Sequence, residues 1–205
     1  MLDKIHWLGH DTFVIAGSKR IYTDPFKIKK KDTADIILVT HEHYDHCSPD
    51  DIEQLRGSGT VIIAPPDCAA KIKGSIMPIQ PGQTLSLQGV VIKAVPAYNT
   101  NKQFHVRDRR WVGYVVTIDG KTLYLAGDTD FIPEMKTLSG IDVALLPVSG
   151  TYVMTAEEAA LAALAIKPAI AIPMHYGAIV GSRDDALKFA TLLKGKIDVA
   201  ILNQE

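Results

Sequence analysis

IILVTHEHYDHCSPDDI, residues 36–52, decides how the rest of the chain is read. Its first five residues are apolar or β-branched and read as a buried strand. Directly behind them, His41, His43 and His46 fall within six positions, interleaved with Glu42 and Asp45. Side chains displayed where a buried strand emerges into a loop are the ones folds use for function. His41 and His43, two apart in extended backbone, project to the same side, so both imidazoles can reach one metal ion. Asp45 and His46 lie where the chain turns towards Ser48 and can address a second position nearby. A His/His pair followed by an Asp/His pair is a layout for two adjacent divalent cations.

The remaining composition narrows the setting. A chain of 205 residues, 47% of them hydrophobic, can bury a large core and is expected to form one domain over residues 1–205. The formal net charge of −1 gives no electrostatic footprint for nucleic acid or an anionic membrane. MLDKIHWLGHDTF has no apolar stretch behind a basic region, and no later segment approaches the roughly 18 apolar residues of a spanning helix. A cytoplasmic protein with a small-molecule partner, no nucleic acid and no membrane span is expected, and the sequence leaves its oligomeric state open. Cys47 and Cys68 are too few for a disulfide framework and are read as reduced thiols that pack.

Local patterns fill in the elements. HWLGHDTFVIAG and KRIYTDPF read as strands around a Gly17-Ser18 turn, followed by a basic connector. Ser48 as N-cap and Pro49 at the first position open a helix that ends at Gly57. TVIIAPP is a strand, PDCAAKIKG a short helix, TLSLQGVVIKAVPAY a strand pair, and WVGYVVTIDGKTLYLAGDT a hairpin across Asp119-Gly120. VALLPVSG is a strand, TAEEAALAALAIKP a helix with a Thr155/Glu158 capping box, AIAIPMHYG a buried strand, SRDDALKFATLLKGK a helix from Ser182, and VAIL a last strand. Strand-rich blocks give way to helices twice. That predicts an α/β protein with two sheets covered by outer helices, an αββα sandwich.

The spacing H-x-H-x-D-H behind an apolar strand resembles the signature of the metallo-β-lactamase fold superfamily. LAGDTD places Asp128 like that family's bridging aspartate, and PMHYG places His175 like its last histidine ligand. WLGHDTFVI with YTDPF is similar, more narrowly, to the branch of lactonase-like proteins and N-acyl-phosphatidylethanolamine phospholipase D. One departure stands out. The branch commonly has a histidine close behind the Pro-Ala of VIKAVPA, where this chain has Tyr98 and Asn99 and the next histidine is His105. Either His105 reaches back to complete the first site, the preferred reading because imidazole is the better ligand for borderline metals, or Asn99 or water fills that corner.

Other residues carry weaker readings. His10 follows a strand and a glycine, and in related sequences this position overlooks the site, so it can serve substrate or simply bond in the core. Asp24, before Pro25, can orient a metal-bound histidine through its free ring N–H or cap a turn. His6 reads as a satisfied core histidine, and Tyr44 as a pocket residue. Arg107, Arg109 and Arg110 can grip an anionic substrate or form a solvated face.

The resemblance implies a metal-dependent hydrolase in which a metal-bound hydroxide attacks a lactone, carboxylic ester or phosphodiester. His41, His43 and His105 would hold one ion, Asp45, His46 and His175 the other, and Asp128 would bridge them. Asp45 would also be catalytic, orienting the hydroxide and carrying a proton. Zinc is the first choice for the two ions, with manganese, iron or nickel accepted by the oxygen ligands. A nucleic-acid phosphodiesterase and a non-catalytic metal-binding protein of the same fold are the alternatives.

Overall fold

The structure, a computed structural model, describes residues 1–29 and 32–205. Lys30 and Lys31, in the basic connector, lie outside the described residues. β1 (Ile5–Gly9), β2 (Thr12–Ala16), β3 (Arg20–Thr23), β4 (Ile36–Leu38), β5 (Val61–Ala64) and β6 (Met77–Pro78) form one sheet in that order. The second sheet contains β7 (Thr84–Leu87), β8 (Val90–Pro96), β9 (Val112–Ile118), β10 (Lys121–Leu125), β11 (Val143–Pro147), β12 (Ile170–Met174) and β13 (Asp198–Val199), again in sequential order. Each sheet begins as an antiparallel meander and continues in parallel, from β3 onward in the first and from β10 onward in the second. α1 (Pro49–Leu55) connects β4 to β5, α2 (Ala156–Ile166) connects β11 to β12, and α3 (Arg183–Leu193) connects β12 to β13.

Alternation along the strands creates the layers. Ile21, Ile36, Leu38 and Ile63 face inward and share a core with Ile92, Tyr114 and Val116 of the second sheet. Tyr22, Ile37 and Ile62 face outward, onto Ile52 and Leu55 of α1. α2 buries a face of alanines, Ala156, Ala159, Ala160, Ala162 and Ala163, whose small side chains let the helix lie close to its neighbours. Its Thr155/Glu158 capping box is present, and α3 has the equivalent box from Ser182 and Asp185. The αββα sandwich expected from the sequence is therefore the fold.

Three local expectations change. PDCAAKIKG forms only a 3-10 turn, Pro66–Ala70. The last strand pairs through Asp198 and Val199, so most of VAIL lies beyond it. HWLGHDTFVIAG is a hairpin broken at His10-Asp11, with an irregular register between Trp7 and Gly9. That break turns His10 and Asp11 towards the end of the sheets where β3, β4, β10 and β12 also terminate. The Asp119-Gly120 hairpin is as expected, with both residues at positive φ, 51° and 71°.

One side chain ties the two sheets together at the strand that delivers the histidines. Tyr114 on β9 is fully buried, and its hydroxyl donates to the carbonyl of Val39 at 2.7 Å, immediately beyond β4. Replacing Tyr114 with phenylalanine keeps the packing and leaves that buried carbonyl without its donor. Urea unfolding should show a loss of about 1–2 kcal/mol; an unchanged midpoint would mean that the bond contributes nothing to holding β4.

Candidate metal centre

Seven strand ends and turns deliver side chains to one edge of the sandwich. The segment after β4 supplies His41, His43, Asp45 and His46; the residues after β10 supply Asp128; the end of β12 supplies His175. The β1–β2 turn adds His10 and Asp11, the end of β3 adds Asp24, the end of β11 adds Ser149, and the loop after β8 adds Asn99 and His105. Backbone conformation at this edge is unusual: His10, Asp24 and His175 have φ of 51°, 38° and 60°. Non-glycine residues in the left-handed region cost about 1–3 kcal/mol each and are retained where the surroundings over-determine them. Gly127 allows a close approach, since a Cβ there would sit 3.0 Å from Thr40 at φ +63°.

Hydrogen bonds fix the tautomers of the histidines. Asp24 accepts from the Thr40 amide at 2.7 Å and from the Thr40 hydroxyl at 2.6 Å. Having given its proton to Asp24, the Thr40 hydroxyl can only accept from Nδ1 of His41, 3.0 Å away. Asp24 also accepts from Nδ1 of His46 at 2.8 Å. Nδ1 of His105 lies 3.2 Å from Oδ1 of Asn99, an atom that only accepts. In the neutral form of all three rings Nε2 is thereby the nitrogen with the lone pair. Nδ1 of His175 lies 2.9 Å from the Ser149 hydroxyl, a group that can either donate or accept, and this contact holds the ring in place.

Those lone pairs converge on Asp128. Its Oδ2 lies 3.1 Å from Nε2 of His105, 3.2 Å from Nε2 of His175 and 4.0 Å from Nε2 of His41, and its Oδ1 lies 3.4 Å from Nε2 of His46. Yet Nε2 of His46, His105 and His175 and Oδ1 of Asp128 are buried without a hydrogen-bond partner. Buried nitrogens and carboxylate oxygens are left this way when a cation satisfies them. Three donor sets stand out among the described residues: His41, His43 and His105; His10, Asp45, His46 and His175; and Asp11, His46, Asp128 and His175, the last two sharing His46 and His175. Imidazole with carboxylate suits zinc, manganese, iron or nickel, so these residues fit divalent metals.

The electrostatics reflect the same crowding. Burial would raise the Asp128 carboxyl, but the rings of His175 and His46 hold it well below the usual range. Burial depresses His41, and the neighbouring His46 depresses it further. His46 is pushed well above the ordinary value, Asp128 and Asp24 outweighing its burial. Against the same opposing burial, Asp128 and then Asp11 raise His175 to about 9. Asp45 is lowered although burial acts against it, because His10 bonds to it, Nε2 to Oδ2 at 3.1 Å.

The departure at Asn99 now has a physical account. Asn99 does not face the centre as a donor; its Oδ1 accepts from both the backbone N–H and Nδ1 of His105. Its Nδ2 donates to Asp130 at 3.1 Å, and buried Asp130 also takes the Thr100 amide at 2.7 Å and the Lys102 ammonium at 2.6 Å. Residues 99–105 are thus folded around one carboxylate, which brings His105 back to the site. Trp111 walls the first donor set, its ring centroid 4.8 Å from those of His41 and His43.

A cleft of about 310 Å³ opens above the centre, lined by His43, Asp45, His105 and Asp128 at its floor and by Tyr44, Phe104, Tyr152 and Ile179 at its mouth. Tyr44 and Phe104 are exposed, and Phe104 meets Tyr152 edge to face. The arginines do not line this cleft: Arg107 pairs with Glu134 over the ring of Tyr98, and Arg109 lies over Trp111. His6 is not in the core but pairs with Glu205 near the surface. Cys47 and Cys68 are buried free thiols in the cluster under α1. Sequence reasoning missed Asp11, Thr40, Ser149, Asp130 and Trp111. Asp11 and Thr40, each adjacent to a named histidine, carried the only readable signal.

Residues 4–175 match the family described as the Beta-lactamase superfamily domain, and the chain belongs to it. It is 38% identical over 216 residues to a UPF0173 metal-dependent hydrolase of Thermococcus kodakarensis, covering 97% of this chain and 96% of that protein. A crystal structure from Parabacteroides distasonis, classed provisionally as a metal-dependent hydrolase, is 38% identical with a TM-score of 0.87, covering 98% of this chain and 93% of that one. A metallo hydrolase of Ignicoccus hospitalis, 25% identical, superposes with a TM-score of 0.78 over 98% of this chain and 94% of its own. The chain is thus a homologue of metal-dependent hydrolases. Among the described residues no helix is long and apolar enough to cross a membrane.

Protons and cations compete for these donors, with a predictable sign. In metal-free protein the folded-state pKa of His175, about 9, exceeds the ordinary 6.5. Its protonation therefore contributes stability that is complete below pH 6.5 and lost as the pH rises through about 9. A bound cation replaces that proton. The gap in melting temperature between metal-loaded and chelated protein should widen from about pH 6.5 to 9; a gap that narrows over this range contradicts a shared site for proton and metal.

Proposed function

We propose that the chain hydrolyses a small, uncharged carboxylic ester or lactone at a dinuclear metal centre. One observation carries the reading: three histidines, His46, His105 and His175, turn unpartnered Nε2 atoms onto one buried carboxylate at the floor of an open cleft. His41, His43 and His105 would hold one ion, Asp45, His46 and His175 the other, with Asp128 between them. When bound, such ions supply Lewis acidity and bring the pKa of water to about 7.

The chain's own residues supply the rest. Asp45 is the most exposed of the floor carboxylates, its side chain 14% accessible against 4% for Asp128, and it stands where substrate enters. Its lowered pKa keeps it ionised at neutral pH, ready to take a proton from the attacking water and return it to the leaving oxygen. His10, buried and bonded to Asp45, fixes that carboxylate and stabilises its charge. Thr40, Asn99 and Ser149 hold the rings of His41, His105 and His175.

The lining of the cleft supports the substrate class. Its mouth is aromatic and aliphatic, and no lysine or arginine lines it. Lys102, on the loop that carries His105, is already paired with buried Asp130. A phosphodiester anion would find no cation there beyond the metals, whereas the apolar part of a neutral ester fits against Tyr44, Phe104 and Tyr152.

The test is an activity screen of metal-reconstituted protein against neutral esters, lactones and phosphodiesters. Turnover should favour the neutral substrates, kcat/KM should rise with pH and level off at about pH 8, and Asp45→Asn with metal content unchanged should lower kcat by about 10²-fold or more. A fully metallated variant that keeps wild-type kcat would remove Asp45 from the chemistry, and failure on all three substrate classes would leave a metal-binding protein.

A further inference from the structure

Asp11 is the one carboxylate among the described residues whose two oxygens are both buried without a hydrogen-bond partner. It sits in the β1–β2 turn at 3% exposure, beneath the site. Asp24, buried close by, makes the contrast: it is satisfied by the Thr40 amide, the Thr40 hydroxyl and His46. Because Nδ1 of His46 gives its proton to Asp24 at 2.8 Å, Asp11 is left 3.7 Å from that atom with no share in it. A donor oxygen of Asp11 lies in one cluster with donor atoms of His46, Asp128 and His175, all within 4.8 Å of one another.

A carboxyl group desolvated this completely has two stable states, a neutral acid or a carboxylate facing a cation. Its surroundings decide between them. A neutral acid would still carry an O–H in need of an acceptor, and neither oxygen has a partner. Donor atoms of His46, His175 and Asp128, the residues assigned to the second metal position or next to it, lie instead within 4.8 Å of one of the Asp11 oxygens.

We propose that Asp11 is an additional donor to the second metal position, which would then offer three carboxylates, Asp11, Asp45 and Asp128, with two imidazoles, His46 and His175. That set exceeds the four ligands zinc commonly takes and suits a harder ion of higher coordination number, such as manganese(II) or iron(II). The first position, built from His41, His43 and His105, keeps its nitrogen-rich character. The two positions therefore differ in preference, and Asp11 is the source of the difference. The inference rests on the metal-centre reading and is independent of whether the chain hydrolyses anything.

The experiment uses the full chain, stripped by chelator and reloaded with manganese(II), zinc(II) or cobalt(II) singly. Bound metal is counted after gel filtration, and the visible spectrum of the cobalt form reports coordination number. Wild-type protein should retain two manganese ions. Asp11→Asn and Asp11→Ala should weaken manganese at one position by at least about tenfold and zinc by less, and should change the cobalt bands of one ion only. Asp11→Asn preserves shape, so it decides the matter should Asp11→Ala fail to fold. Manganese affinity and cobalt spectra unchanged in Asp11→Asn would overturn the inference and make Asp11 a buried neutral acid. Wild-type protein that binds none of the three metals would overturn the metal centre itself. Intact metal binding without hydrolysis would count against the proposed activity alone.

Discussion

A buried aspartate surrounded by imidazole nitrogens whose protons have been directed elsewhere is the constraint on which the rest of this molecule depends. Asp128 is almost fully buried, and each ring facing it is held from behind by a side chain: Thr40 for His41, Asp24 for His46, Asn99 for His105, Ser149 for His175. Unpartnered donors packed this closely are costly in a folded protein. The fold accepts that cost and adds left-handed backbone at His10, Asp24 and His175. Such strain persists only where the surrounding structure enforces it, and here the enforcement comes from strands that end together.

That common ending follows from the topology. Parallel strands finish at one edge, so β4, β10, β11 and β12 all release their chain beside one another. The β1–β2 hairpin turns at the same edge and contributes His10 and Asp11. Only His105 arrives from an irregular loop, and that loop has its own anchor. Asp130, two residues beyond Asp128, gathers Asn99, Thr100 and Lys102 around its carboxylate. One short segment after β10 therefore places the central carboxylate and also fixes the loop that brings the remaining histidine.

The parts legible in the sequence were those encoded locally. Hydrophobic alternation, capping boxes and an Asp-Gly turn announced the strands, the long helices and the hairpin, because each is decided by neighbours in the chain. His41, His43, Asp45 and His46 were legible together since strand geometry aims alternate residues the same way. Asn99 and His105 could be seen only as alternatives, because the loop between them is shaped by Asp130, a residue distant in sequence. Asp11 offered only its place beside His10: an acid beside a turn is ordinary until the fold buries it among His46, Asp128 and His175. Which side of Arg107 and Arg109 faced the cleft was equally out of reach, since Glu134 and Trp111 claim them from other strands and turns.

The most direct test of the account is the position of the metals themselves. A crystal structure of protein loaded with manganese or zinc, with anomalous data collected at the metal edge, should show two ions flanking Asp128. One should lie among His41, His43 and His105, and the other among Asp45, His46 and His175. A single ion outside both sets, or a metal-replete crystal with the Nε2 atoms of His46, His105 and His175 still unligated, would contradict the claim that the fold is organised around a dinuclear centre.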